Sequence, residues 1–228
     1  LAVPLMVYLV GVPNPHIAIG TSAVAVAANA AVNLAGHARR GNVKWPCAAV
    51  FAVAGVAGAF LGSVFGKMID GQKLLALFAV LMLVVGALML RGRSGEGNHA
   101  VRLNRENMPA LAGLGLATGT LSGFFGIGGG FLIVPALMLA TGMPILHAVS
   151  SSLVAVTAFG LTTAGSYAFS GLVDWPLAGI FIAGGVLGGL LGGRLAVRLA
   201  AKRGALNSVF AAVIFAVAIY MLIRTLAT

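Results

Sequence analysis

The chain reads as long apolar runs separated by short polar or Gly/Pro gaps. Leu1 to Val10 is a short apolar piece ended by Gly11-Val12-Pro13-Asn14-Pro15. Ala18 to Gly36, Trp45 to Phe65 and Leu74 to Leu90 follow as three spans. Between them lie the basic loop His37 to Lys44 and a loop from Lys67 to Lys73. Arg91 to Glu106 is the longest polar stretch. Met108 to Phe125 is the next helix, and Phe131 to Ala140 is a short apolar piece ended by Thr141-Gly142-Met143-Pro144. His147 to Phe169, Trp175 to Val197 and Leu206 to Ile223 complete the pattern, with loops at Ser170 to Asp174 and Arg198 to Gly204. A spanning helix needs about 20 apolar residues. Most segments meet that length, and Phe131 to Ala140 does not.

The sharpest interruption is Gly126-Ile127-Gly128-Gly129-Gly130, followed by Pro135. Adjacent glycines cost about 1 kcal/mol each inside a helix, so a break is expected there. Lipid cannot satisfy the backbone groups that a break frees. Such breaks persist where protein buries them or where they line a cavity. The break also leaves the N-terminus of a half-helix near Gly130, with free N–H groups and the positive end of the helix dipole. Close helix packing through small residues is the competing reading. Pro135 is placed in the first turns of the half-helix, where its missing N–H is not needed.

Composition fixes the class. Of 228 residues, 60% are hydrophobic and 8% charged, and the mean hydropathy is +1.07. A soluble domain carries about 25% charged residues. The fold expected is therefore all-α, a polytopic integral membrane protein. The net charge of +10 comes from 14 Lys and Arg against 4 Asp and Glu. These basic residues sit in the gaps between apolar runs, as the loop charges of membrane proteins do, so nucleic acid is not an expected partner. The single Cys47 excludes an intrachain disulfide and a cysteine-based metal cluster. The acids Asp70, Glu96, Glu106 and Asp174 all lie at span ends. No catalytic residue, metal site or cofactor is expected, and no lysine follows the glycines to make a nucleotide loop.

The chain also repeats itself. Gly41-Asn42-Val43-Lys44-Trp45-Pro46 returns as Gly171-Leu172-Val173-Asp174-Trp175-Pro176, and Ser22 to Val26 returns as Ser152 to Val156. Gly55, Gly58 and Gly62 return as Gly185, Gly188 and Gly192 at the same spacing. Val3-Pro4 and Gly11-Val12-Pro13 match Val134-Pro135 and Gly142-Met143-Pro144 with one inserted residue. This gives a first repeat at 1–92, a basic inter-repeat loop at 93–106 and a second repeat at 107–228. The first copy of the glycine break would fall before Leu1, so the first repeat reads as N-terminally incomplete. Matched halves with broken helices point to a secondary transporter whose site lies at the repeat interface. Parallel halves would divide the basic residues 8 to 6 between the two sides, and inverted halves 11 to 3. The second division obeys the positive-inside rule, so inversion is expected. It requires the short piece at Phe131 to Ala140 to count as a crossing, inside the protein against a water-filled cavity.

The run Gly119-Thr120-Leu121-Ser122-Gly123-Phe124-Phe125-Gly126-Ile127-Gly128-Gly129-Gly130-Phe131-Leu132-Ile133-Val134-Pro135-Ala136-Leu137, then Gly142-Met143-Pro144 and a Ser-rich helix start, resembles the TauE/SafE sulfite exporter (TSUP) family. The repeated Gly-x-Val-x-Trp-Pro fits as well, and the resemblance covers nearly the whole chain. It implies a multi-pass permease of the cell (inner) membrane for sulfite, sulfoacetate, thiosulfate or organosulfonates. The expected partners are such an anion and the lipid bilayer, with a homodimer left open.

Candidate substrate contacts follow from the break. Gly126, Gly128, Gly129 and Gly130 offer backbone N–H groups to an oxyanion, and Ser122 lies one turn earlier. Thr21, Ser22, Ser150, Ser151 and Ser152 are either hydroxyl donors facing the break or capping and back-bonding groups. Asn29 and Asn33 share a helix face at i, i+4 and either glue helices or line the path. His16 and His147 each follow a Pro turn and either carry a proton with substrate or simply start a helix at the interface. Asp174 and Lys44 with their neighbouring tryptophans read as helix-start and interface groups, the Gly ladders as packing faces, and the loop charges as topology signals with no site implied. The expected function is alternating-access transport. An anion channel and a non-transporting membrane subunit are the alternatives.

Overall fold

The computed structural model describes residues 2–91, 103–126 and 130–200, together with 216, 217, 219, 220 and 223. It contains eight helices among the described residues: α1 (Ala2–Tyr8), α2 (Pro15–Arg39), α3 (Trp45–Met68), α4 (Gly71–Arg91), α5 (Met108–Phe125), α6 (Gly130–Thr141), α7 (Ile145–Phe169) and α8 (Trp175–Ala200). The described residues form no strand. By length and composition α2, α3, α5 and α7 can each cross a membrane. Most of the final span expected at Leu206 to Ile223 and most of the inter-repeat loop lie outside the described residues.

Local chemistry sets the helix ends. Pro15 opens α2, where the Asn14 side chain accepts the His16 N–H at 2.9 Å. Pro46 and Pro109 sit in the first turns of α3 and α5, where a missing N–H costs nothing. Asn104 and Asn107 exchange side-chain bonds to each other's backbone N–H at 3.0 and 2.8 Å before α5. The Asp174 carboxylate accepts the Leu177 N–H at 3.0 Å at the start of α8. One boundary differs from the sequence reading. Lys67 belongs to the last turn of α3, and Gln72 and Lys73 open α4, so only Ile69 and Asp70 connect the two. Asp70 turns the chain by accepting the Gln72 N–H at 3.0 Å. Pro135 is another correction. It is the sixth residue of α6, past the four free N–H groups of a helix start, so it removes the donor that would meet the Phe131 carbonyl.

Small residues hold the helices together. A Cβ on Gly55, Gly58, Gly62 or Gly66 of α3 would run into the α5 backbone or side chains at Gly115, Leu116, Thr120 and Phe124. The same holds in reverse for Gly115, Gly119 and Gly123 against Phe51, Gly55 and Ala59. The two helices therefore lie in backbone contact over four turns and run in the same direction. Lipid gives helices no hydrophobic reason to associate, so dispersion at this close approach supplies the attraction. Phe159 of α7 packs over Gly55 and stacks on Phe51 with centroids 6.2 Å apart.

α2 and α7 run antiparallel. Gly20 touches Tyr167 and Leu172, Gly160 touches Ala23 and Ala27, and His37 reaches Ser150. α5, α6 and α7 thus alternate in direction. α6, with 12 residues, starts beside Val156 in the middle of α7 and returns toward the start of α7. It buries Leu132, Ile133, Ala136 and Leu137 in the core and leaves Leu139 exposed. The hydrogen bonds between α2 or α7 and the turns before α8 and α3 exchange under a shift of 130 residues. The Asp174 N–H donates to Thr21 Oγ1 at 2.9 Å, and the Lys44 N–H donates to Ser151 Oγ at 2.9 Å.

Candidate functional site

The site is built around the end of α5. Gly126 closes that helix in the left-handed region, φ +64°, with its N–H on the Ser122 carbonyl. Only glycine adopts this conformation without strain. A Cβ there would also overlap Ile19 Cγ2 of α2. Ser22, one turn further along α2, lies 2.9 Å from the Ile19 carbonyl and 3.4 Å from the Gly126 carbonyl. Its single proton goes to the nearer oxygen and still leaves the hydroxyl against the break. Ile127, Gly128 and Gly129 lie outside the described residues. Gly130 starts α6, and a Cβ built on it would sit 3.5 Å from Val156 Cγ2, so the half-helix begins against the middle of α7.

The expected hydroxyl donors separate into two groups. Thr21 and Ser151 accept backbone N–H groups from the facing turns, so they tie α2 to the start of α8 and α7 to the start of α3. Ser150 donates to the Leu146 carbonyl and meets His37 Nδ1 at 2.8 Å, and Ser152 donates to the Val149 carbonyl. All four are engaged within the protein: Ser150 and Ser152 bond back to their own helix, while Thr21 and Ser151 tie neighbouring elements together. Ser122 differs. It is fully buried, and its hydroxyl has no partner.

Asn29 donates to the Phe181 carbonyl at 3.4 Å and lies against Gly185 of α8, while Asn33 donates to the Asn29 carbonyl. Both amides therefore face α8 and not the glycine break. His147 Nδ1 meets the Asn42 carbonyl at 2.8 Å. His16 lies at the opposite end of the bundle, its Nδ1 buried without a partner and its ring centroid 6.4 Å from that of Tyr167.

Three residues near the break escaped the sequence reading. Thr163 and Tyr167 sit one turn apart on α7, both fully buried, and both hydroxyls lack partners. Lys67, read as a loop charge, is drawn against α7. Its ammonium donates to the Ser166 carbonyl, Ser166 Oγ and Ser170 Oγ at 3.0 to 3.1 Å and stands 5.6 Å over the Tyr167 ring. The sequence signal was faint: a lysine one turn after Ser63 at the end of an apolar run, with Tyr167 and Ser170 about 100 residues away.

A separate hollow of about 370 Å³ lies between α2 and α7, lined by Val24, Ala27, Ala28, Thr157, Leu161 and Trp175 among others. Its wall carries no charged group, and Thr157 spends its hydroxyl on the Leu153 carbonyl. It suits hydrocarbon and gives an anion little to hold. Among the described residues no group of three His, Cys, Asp or Glu is placed to hold a metal.

Apolar spanning helices in backbone contact define a multi-pass membrane protein. The profile of the family described as "Sulfite exporter TauE/SafE" matches residues 1–221. The chain belongs to that family. It is similar to a "Probable membrane transporter protein" of Xylella fastidiosa (strain 9a5c), 54% identical over 100% of this chain and 88% of the relative. It is also similar to the "Probable membrane transporter protein YunE" of Bacillus subtilis (strain 168), 26% identical over 75% of this chain and 68% of the relative. No solved structure matches the chain.

Proposed function

We propose that the protein is a secondary transporter of small sulfur-containing anions, such as sulfite, sulfoacetate or organosulfonates, working by alternating access in the cell (inner) membrane. The observation that carries the reading is the half-helix α6. Its N-terminus at Gly130 lies at the level of Val156, midway along α7. A helix start brings unsatisfied N–H groups and a positive partial charge, which suit an oxyanion without burying a full cation. Family membership supports sulfur oxyanions as the cargo class. The antiparallel pairing of α2 with α7 and the two hydrogen bonds that exchange under the 130-residue shift support inverted halves. In that arrangement the end carrying Arg39, Arg40 and Lys44 is the cytoplasmic one.

Purified protein in proteoliposomes, with no added subunit, tests this directly. A carrier gives sulfite flux that saturates and shows counterflow against trapped unlabelled sulfite. Flux that rises linearly with concentration points to a channel. Absence of flux for sulfite, sulfoacetate and methanesulfonate alike refutes the proposal.

A further inference from the structure

Most described hydroxyls on the helices bond back to their own helix. Ser22, Ser63, Thr118, Thr120, Thr141, Thr157 and Thr162 each donate to a carbonyl three or four residues earlier. This is the default in an apolar medium, where an unmade hydrogen bond is costly. Ser122, Thr163 and Tyr167 depart from it. All three are 0% exposed, and none has a partner for its hydroxyl.

The packing places the three at neighbouring levels of the bundle. α3, α5 and α7 run in the same direction, and they meet where Gly55 lies against Gly119 and Phe159. One turn further along are Ala59, Gly123 with Ser122 beside it, and Thr163. A second turn brings Gly126 and Tyr167, which touch the adjacent α2 residues Ile19 and Gly20. The three residues that carry the orphan hydroxyls thus sit on two successive turns, about 5.4 Å apart along the helices. Lys67, over the Tyr167 ring, fixes that ring and places a positive charge at the end of this level.

We propose that Ser122, Thr163 and Tyr167 hold the three-oxygen head of a sulfite or sulfonate by donating one O–H each. This rests on the transporter reading above and adds a second station for the anion, two to three turns along α7 from the α6 start beside Val156. Three neutral donors match three acceptor oxygens, whereas a carboxylate offers only two, so the site selects –SO3 over –CO2 heads. Neutral donors also suit a carrier, because they themselves leave no buried charge on the return step, while the Lys67 ammonium is held by Ser166 and Ser170. Asn29, whose Oδ1 is also unpartnered, lies on the α8 side of α2 and is not part of the set.

The test uses the full chain in proteoliposomes with labelled sulfite, and methanesulfonate and acetate as competitors. Ser122→Ala, Thr163→Val and Tyr167→Phe each raise the KM for sulfite about 10-fold or more, since each removes a hydrogen bond to an anion. Each also narrows the preference for methanesulfonate over acetate, and Thr163→Ser retains wild-type KM. Their apparent melting temperatures in detergent stay at or above wild type, because the deleted hydroxyl has no partner in the protein to lose. Variants with wild-type KM and selectivity overturn the site while wild-type flux keeps the transporter reading standing. Variants that melt several degrees lower with unchanged KM assign the hydroxyls a structural role and overturn it as well. A wild-type protein that moves no sulfur oxyanion removes both.

Discussion

The contact between Gly126 and Ile19 makes a quantitative test of the break. Gly126→Ala imposes two separable penalties. A non-glycine residue at φ +64° costs about 1–2 kcal/mol in the left-handed region. The new methyl also lands on Ile19 Cγ2, a fully buried atom with nowhere to retreat, and overpacking of this kind costs about 1–3 kcal/mol. The single variant should lose about 2–5 kcal/mol, the sum of those ranges. Ile19→Ala alone opens a cavity and should lose about 2–5 kcal/mol. In the double variant the methyl introduced at position 126 enters the space vacated by Cγ2, so the severe overlap goes, a tight 3.0 Å approach to the Cβ that alanine keeps remains, and the backbone penalty stays. The losses should therefore fall short of additivity by about 1–3 kcal/mol, the overpacking share. Urea unfolding in a mild detergent, followed by tryptophan fluorescence, measures all four corners of the cycle. Additivity within about 0.5 kcal/mol would mean that the two residues do not touch, and the packing described for the end of α5 would be wrong.

Two further outcomes follow from the packing. Thr21→Val and Ser151→Ala each remove the acceptor of a backbone N–H, of Asp174 or Lys44; each should cost about 1–3 kcal/mol, and the pair should add, because the bonds lie at opposite ends of the bundle. Gly119→Leu drives a side chain into the Gly55 backbone and should prevent recovery of monodisperse protein by size exclusion, while Gly113→Ala, with nothing within 4 Å of its Cβ, should be neutral or gain about 1 kcal/mol.

The helices and their breaks were legible because lipid forces a simple code. Pro15, Pro46 and Pro109 mark starts, Gly126 and Gly142 mark ends, and the Gly55–Gly66 ladder announces a helix in close contact. The partners of polar side chains were not legible. Ser151 looks like any serine at a helix start, and only the fold brings the Lys44 N–H to it from 107 residues away. Thr163 and Tyr167 gave no signal, since what sets them apart is a bond not made. Lys67 was read with the loop charges because sequence periodicity cannot tell a last helical turn from the loop after it. Asn29 and Asn33 were correctly placed on one face, but that face packs on α8.

The two ends of the bundle are built alike and closed differently, and the difference predicts which opens more readily. Under the 130-residue shift, Tyr167 corresponds to His37 and Gly20 to Ser150. At the His37 end one side-chain bond joins α2 to α7, from Ser150 to His37 at 2.8 Å. At the Tyr167 end Gly20 merely makes room for Tyr167 Cβ and the Leu172 carbonyl, and closure falls to Lys67, with three bonds to Ser166 and Ser170. The positions that correspond to Ser166, Ser170 and Lys67 are Gly36, Arg40 and Val197, which repeat no such clamp. Lys67→Met keeps the stem and removes the ammonium. In a Cys47→Ala background with Thr163→Cys as reporter, this change should raise the rate of labelling by an impermeant thiol reagent added from the Lys67 end about 10-fold, equivalent to about 1.4 kcal/mol. Labelling from the His37 end should fall, because one population gains at the expense of the other. Ser150→Ala should act in the opposite sense and more weakly, having one bond to lose against three. Equal labelling in Lys67→Met and its parent would mean that the ammonium packs the end of α3 without holding that end shut.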